Sequence, residues 1–245
     1  MFSFLYHSGI FNPLYNGLIG LMSLLPWMDA GVAVIIFTII VRLALYPLSK
    51  KAVVTQVRMK ELEPELNRIK ESLKNDRQAQ ALKTMELYKS KGVSPFSSFF
   101  VLLIQLPIVY ALYSIFLHSG LPVVNKELLY PFILAHIPVV NMHFLGLIDI
   151  GAKSISLAVL AAVAQFFQLH FSFASKSMPS SGGNNPQMEM MQSMTKNMKY
   201  VFPIMVFLIS YKISAVVALY WTVTSLFTLG QELVVRKHIK SHQPL

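Results

Sequence analysis

A single arginine in an apolar stretch limits what this chain can become. Residues 30–48, AGVAVIIFTIIVRLALYPL, are long enough to cross a bilayer, and Arg42 sits inside them. A guanidinium near the centre of such a span costs roughly 2.5–3.5 kcal/mol on insertion scales, so it must face protein or water rather than lipid. From Lys50, Arg42 lies about 12 Å inward at 1.5 Å per residue, and an arginine side chain reaches only part of that distance.

The rest of the chain is built in the same manner. Of 245 residues, 54% are hydrophobic and 13% charged, and the mean hydropathy is +0.54. Long apolar runs separated by short polar stretches predict an all-α integral membrane protein. The net charge of +10 is unevenly placed. Residues 1–41 contain no Lys or Arg, whereas residues 49–93 hold eleven Lys/Arg and six Asp/Glu. Basic segments stay on the cytoplasmic side, which sets the N-terminus outside and the C-terminus inside. With mixed charge signs beside apolar spans, no direct DNA binding is expected.

Ten segments follow. Residues 1–28 read as an exterior, interfacial amphipathic helix, with no basic n-region of a signal peptide. The first span is 29–48. Residues 49–93 form a cytoplasmic helical hairpin in which Leu62, Leu66, Ile69 and Leu73 share one face, Pro64 breaks the first arm, and Asn75-Asp76 marks the turn. The second span is 94–117. Residues 118–152 are an exterior segment with short interfacial helices between Pro122, Pro131, Pro138 and Gly146. The third span is 153–174, residues 175–198 are a polar cytoplasmic loop, the fourth span is 199–213, the fifth 214–235, and 236–245 a basic cytoplasmic tail. Five transmembrane helices, N-out and C-in, satisfy the charge bias.

Catalysis finds little to work with. The chain has no cysteine, no histidine pair at metal-ligand spacing and no glycine-rich phosphate loop. No cofactor and no metal are expected, and the chain does not read as an enzyme. The methionine run Met188, Met190, Met191, Met194 and Met198 reads as an amphipathic lead-in to the fourth span. The intramembrane polar residues carry more meaning. Thr38 lies one turn before Arg42 and Ser49 two turns after it, on one helix face. Gln105, Gln165, Gln168, Tyr220, Thr222, Thr224, Ser225 and Thr228 lie in the other spans. No acidic residue sits mid-span, so Arg42 among neutral amides and hydroxyls suggests a wet cavity open to the cytoplasm. A small transporter or channel for an anionic solute is the rival reading, although no internal repeat is visible.

The order of the motifs then resembles a known family. Arg42 is followed by YPLSKKAVVTQVRMKELEPELNRIKE, SPFSSFFVLLIQLPIVYALY, FLGLIDIGAKS, NPQMEMMQSMTKNMKYVFPIM and ALYWTVTSLFTLGQ. This is similar to the YidC/Oxa/Alb insertase family in its short bacterial form, without the large exterior domain. The resemblance implies a five-span core and an ATP-independent insertase and chaperone of membrane proteins in the bacterial cell membrane. It implies a hydrophilic groove open to cytoplasm and lipid, with the family's groove arginine at Arg42 and further lining at Thr38, Gln105, Gln165, Tyr220 and Trp221. Implied partners are nascent membrane-protein chains, the lipid bilayer, the Sec translocon, the ribosome and the signal-recognition-particle receptor.

Overall fold

Helix α9, Ala215–His242, is the hub of the structure, and its composition explains why. Its first turns, Ala215 to Tyr220, are buried on every side, and a helix that is apolar all round belongs in the middle of a bundle. The computed structural model describes residues 6–74, 76–94, 97–119, 121–134, 136–174 and 186–242. In chain order the helices are α1 Asn12–Leu24, α2 Ala30–Ala44, α3 Tyr46–Glu61, α4 Glu63–Ser72, α5 Arg77–Ser90, α6 Ser97–Leu117, α7 Ile155–Ala174, α8 Pro186–Ile213 and α9. Helix α9 packs against α2, α3, α6, α7 and α8.

The outer surface carries apolar side chains where a soluble protein would carry charge. On α7, Ile155, Val159, Val163, Phe167 and Phe171 are exposed, and on α8 so are Val201, Ile204, Met205 and Leu208. Both sets recur at helical spacing, so each forms a continuous stripe. Continuous exposed apolar stripes beside buried glutamines and serines reverse the usual soluble pattern and suit a lipid surround. Among the described residues Ile155–Ser172 is long and apolar enough to cross a bilayer alone. The bent pair Ala30–Ala44 and Tyr46–Met59, 63° apart, supplies a second if it is one span.

That bend corrects the first expected boundary. The chain does not run straight from 29 to 48. It breaks at Leu45, and Tyr46, Pro47 and Leu48 begin a new helix. Proline lacks the amide proton that would continue the ladder and is tolerated in a first helical turn, so Pro47 favours a fresh start here. Ser49 therefore does not share a helix with Arg42.

The first arm of the hairpin breaks again at Leu62, just before Pro64. Asp76 caps α5 by accepting from the Ala79 amide at 2.9 Å, and Lys91 pairs with Glu65 across the two arms at 3.1 Å. Asn75 and residues 175–185 lie outside the described residues, as do the side chains of Met188, Met190, Met191 and Met194.

Three other expectations change. The segment expected as a loop over 175–198 is helical from Pro186 onward, joining the expected fourth span in one helix of 28 residues. Proline starts the helix and good helix formers (Gln, Met, Glu, Lys) follow, while the glycines and most of the serines precede it. The tail expected at 236–245 continues α9 as far as His242, because no glycine or proline interrupts it and Arg236 pairs back to Glu232 one turn earlier.

The segment 118–152 contains, among its described residues, a 3₁₀ turn at Lys126–Leu128 and a two-stranded hairpin, His143–Phe144 with Ile148–Asp149, rather than short interfacial helices. Leu145 and Gly146 both have positive φ, 52° and 72°, as a tight hairpin turn of the primed type requires.

This segment ties together the N-terminal ends of α2 and α9 and helix α1. Asp29 caps α2 through the Val32 amide at 2.8 Å and accepts the Leu145 amide at 3.0 Å with its other oxygen. The Ala30 amide donates to the Asn141 carbonyl, and the first amides of α9, Ala215 and Val216, donate to the Ala152 and Ile150 carbonyls. Helix α1 is fastened to the same segment through buried Asn16, which donates to the Leu128 carbonyl and accepts from the Tyr130 amide. Its buried face is Tyr15, Leu18, Ile19 and Met22, and Gly17 lets it approach Phe37 of α2 closely.

Candidate functional site

Arg42 lies in the last turn of α2 and is 8% exposed. Its Nη2 donates to Gln105 Oε1 at 2.5 Å. The Gln105 Nε2 donates in turn to the Tyr220 hydroxyl at 2.6 Å. One glutamine on α6 thus links a charge on α2 to a phenol on α9. Each glutamine atom has the correct polarity for its neighbour, a carbonyl facing the guanidinium and an amide facing the phenol oxygen. Among the described residues no carboxylate pairs with Arg42. A neutral amide satisfies hydrogen-bonding capacity without cancelling the charge, so the field of the guanidinium is left available.

Thr38 is 1% exposed and donates to the Val34 carbonyl of its own helix at 2.6 Å. It sits one turn from Arg42, its hydroxyl turned to the backbone. Trp221 lies next to Tyr220 in sequence but faces elsewhere, against Phe202 of α8 with ring centroids 6.4 Å apart. Gln165 belongs to a second polar set. It accepts from Ser225 Oγ at 3.0 Å and donates to Gln168 Oε1 at 2.6 Å.

That second set runs along the α7–α9 seam toward the C-terminal end of α7. Gln168 Nε2 donates to Ser172 Oγ at 3.2 Å, and the Ser172 hydroxyl is shared between the Glu232 oxygens at 2.7 and 2.6 Å. Arg236 closes the row, 3.3 Å from Glu232 Oε2 and 3.2 Å from the Ser172 carbonyl. On the other side of α9, Gln231 Nε2 donates to Ser49 Oγ at 2.8 Å.

Of the residues expected from sequence, Arg42, Gln105 and Tyr220 form one bonded group. Gln165 belongs to the other, and Thr38 and Trp221 belong to neither. Ser172, Gln231, Glu232 and Arg236 were not among the expected site residues. Glu232 and Arg236, four apart with opposite charge, were the available signal. Among the described residues no group of histidine, aspartate or glutamate could hold a metal ion. The arrangement supplies hydrogen-bonding groups and one uncancelled charge inside an apolar shell, which can hold water and polar chain segments.

A family model described as 60Kd inner membrane protein matches residues 22–242. A Fusobacterium nucleatum protein named membrane protein insertase YidC is 34% identical over 207 residues, covering 84% of this chain and 86% of the relative. One of the same name from Clostridium tetani is 31% identical over 218 residues, covering 89% and 86%. Another, from Oceanobacillus iheyensis, is 28% identical over 211 residues, covering 84% and 74%.

Proposed function

The chain belongs to the 60Kd inner membrane protein family, a family of membrane proteins, and on that premise we propose that it is an insertase and chaperone of membrane proteins. Its substrates are nascent membrane-protein chains, and it works without ATP, alone or with the Sec translocon. It resides in the bacterial inner or plasma membrane as a multi-pass protein with five spans, N-out and C-in. The ribosome and the signal-recognition-particle receptor are the partners on the cytoplasmic side. The relatives' shared name and the exposed apolar stripes of α7 and α8 support this reading.

The single observation that carries the mechanism is the burial of Arg42 against Gln105 with no carboxylate partner among the described residues. Carrying a short polar segment across hydrocarbon is penalised at every charge and every unpaired peptide group. A groove holding Arg42, Gln105, Tyr220, Thr38, Gln165 and Trp221, open to cytoplasm and lipid, shortens the dry path. Arg42 keeps water there and attracts the acidic or polar tail of the substrate. Its attraction is stronger than in bulk water but is limited by Gln105, so the tail is released. The apolar substrate helix then leaves sideways into lipid, and burial of its surface drives the step.

Reconstitution in liposomes with a short single-span substrate tests the proposal. Protected, correctly oriented substrate without ATP is the expected result. No insertion, together with selective flux of an anionic solute, would replace the insertase by a transporter.

A further inference from the structure

Gln231 and Glu232 are consecutive on α9, and consecutive helix positions point about 100° apart. Each reaches a different helix. Gln231 holds Ser49 in the first turns of α3, just beyond the break at Leu45. Glu232, 6% exposed, holds Ser172 in the last turns of α7, and Arg236 spans the Glu232 carboxylate and the Ser172 carbonyl with one nitrogen. Two neighbouring side chains therefore tie α9 sideways to the helix that follows Arg42 and to the helix that carries Gln165.

Stability alone does not call for this chemistry. A buried ion pair gains little over apolar packing of similar volume, because desolvation offsets the Coulomb attraction. Directional bonds add a defined geometry instead. The donors also run one way: Ser225 to Gln165, Gln165 to Gln168, Gln168 to Ser172, and Ser172 to Glu232. An ionised carboxylate can only accept. It turns the Ser172 proton toward itself, leaves the serine lone pairs for Gln168 Nε2, and so sets which way the Gln165 amide faces.

We propose that Gln231 and Glu232 form an inner brace, positioning residues that fix the separation of α3 from α7 and the orientation of Gln165. The consequence for substrates rests on the insertase reading. The brace itself is a statement about helix separation and can be measured without substrate.

The chain contains no cysteine, so spin labels can be placed singly at Leu48→Cys and Phe171→Cys, exposed neighbours of Ser49 and Ser172. In liposomes, the label-to-label distance distribution should be narrow in the otherwise native chain and in Glu232→Gln, which can still accept from Ser172. It should broaden in Glu232→Leu and Gln231→Leu, and less in Ser172→Ala, the mildest change should the leucine variants fold poorly. With a single-span substrate, photo-cross-linking from a probe at position 162, one turn from Gln165, should fall several-fold in Glu232→Leu, while cross-linking from position 109, one turn from Gln105, persists. A distribution that stays narrow in both leucine variants and in Ser172→Ala would overturn the brace, as would equal loss of cross-linking at both positions. Absence of insertion by the native chain would instead count against the insertase reading, with the distance measurement still deciding the brace.

Discussion

The Arg42 guanidinium rests on the Gln105 side-chain carbonyl, 2.5 Å away, so the charge on α2 is oriented by a neutral amide on α6. A carboxylate at that position would have neutralised the arginine and tied it down. The amide holds the side chain in place and leaves its charge unspent. Because Gln105 also bonds Tyr220, one side chain on α6 ties the charge on α2 to the phenol on α9.

Arg42→Ala should lower insertion of substrates with charged N-tails about tenfold, equivalent to about 1.4 kcal/mol. Removing the guanidinium leaves Gln105 its bond to Tyr220, so protein abundance should stay near the native level. The measurement is insertion per folded protein beside abundance in the same membranes. Parallel loss of both would assign Arg42 a structural role only.

Gln105→Leu should be costlier for folding than Tyr220→Phe. The first removes the amide acceptor of a buried guanidinium, at about 1.5–3 kcal/mol for a hydrogen bond to a charged group, whereas the second removes a neutral bond worth about 1 kcal/mol together with the phenol's own contact to Arg42. Thermal unfolding in detergent would rank them. The double variant Gln105→Leu/Tyr220→Phe should cost less than the sum, because the second change acts on a bond already lost.

Asp29→Ala should destabilise the outer end of α2 by about 1–2 kcal/mol, the usual cost of losing a side-chain cap. It also frees the Leu145 amide, so protease added from outside should cut the segment around residues 143–149 faster. Asp29→Asn can cap the helix with its amide oxygen and should fall between the two. Unchanged protection in Asp29→Ala would show that the hairpin is held by other contacts.

Gly31→Ala should cost about 1–3 kcal/mol by overpacking. A β-carbon built there meets the Phe144 ring and its Cβ closer than real side chains approach. Phe144→Ala has its own cost and removes the ring but keeps the Phe144 Cβ, itself 2.7 Å from that position, so in its background Gly31→Ala should cost less without becoming neutral. A full cost in both backgrounds would place the strain in the backbone instead.

Much was legible from residue order alone. The apolar runs, the basic stretch after Leu48 and the isolated Arg42 are local properties that carry through to any helical packing. The capping signal at Asp76 and the helix break near Pro64 are likewise local, since capping and proline geometry involve only a turn of chain, whereas the break at Leu45 and the Asp29 cap were not expected from the sequence. The membrane-protein class and the family follow from these features and from their order.

Which polar side chains meet was decided elsewhere. Gln105 and Gln165 are indistinguishable as glutamines in apolar runs, yet one bonds Arg42 and the other joins a row ending at Glu232. Tyr220 and Trp221 are adjacent in sequence but, about 100° apart around α9, serve a polar group and an aromatic contact. Helix rotation and crossing are set by the packing of whole faces, which no single stretch of sequence contains. The residue types and the helix ends were therefore determined locally, whereas the partner of Arg42, the link from Gln231 to Ser49 and the link from Glu232 to Ser172 came only from tertiary structure. Those contacts join residues 63, 182 and 60 positions apart, and they exist only once the bundle has closed around α9.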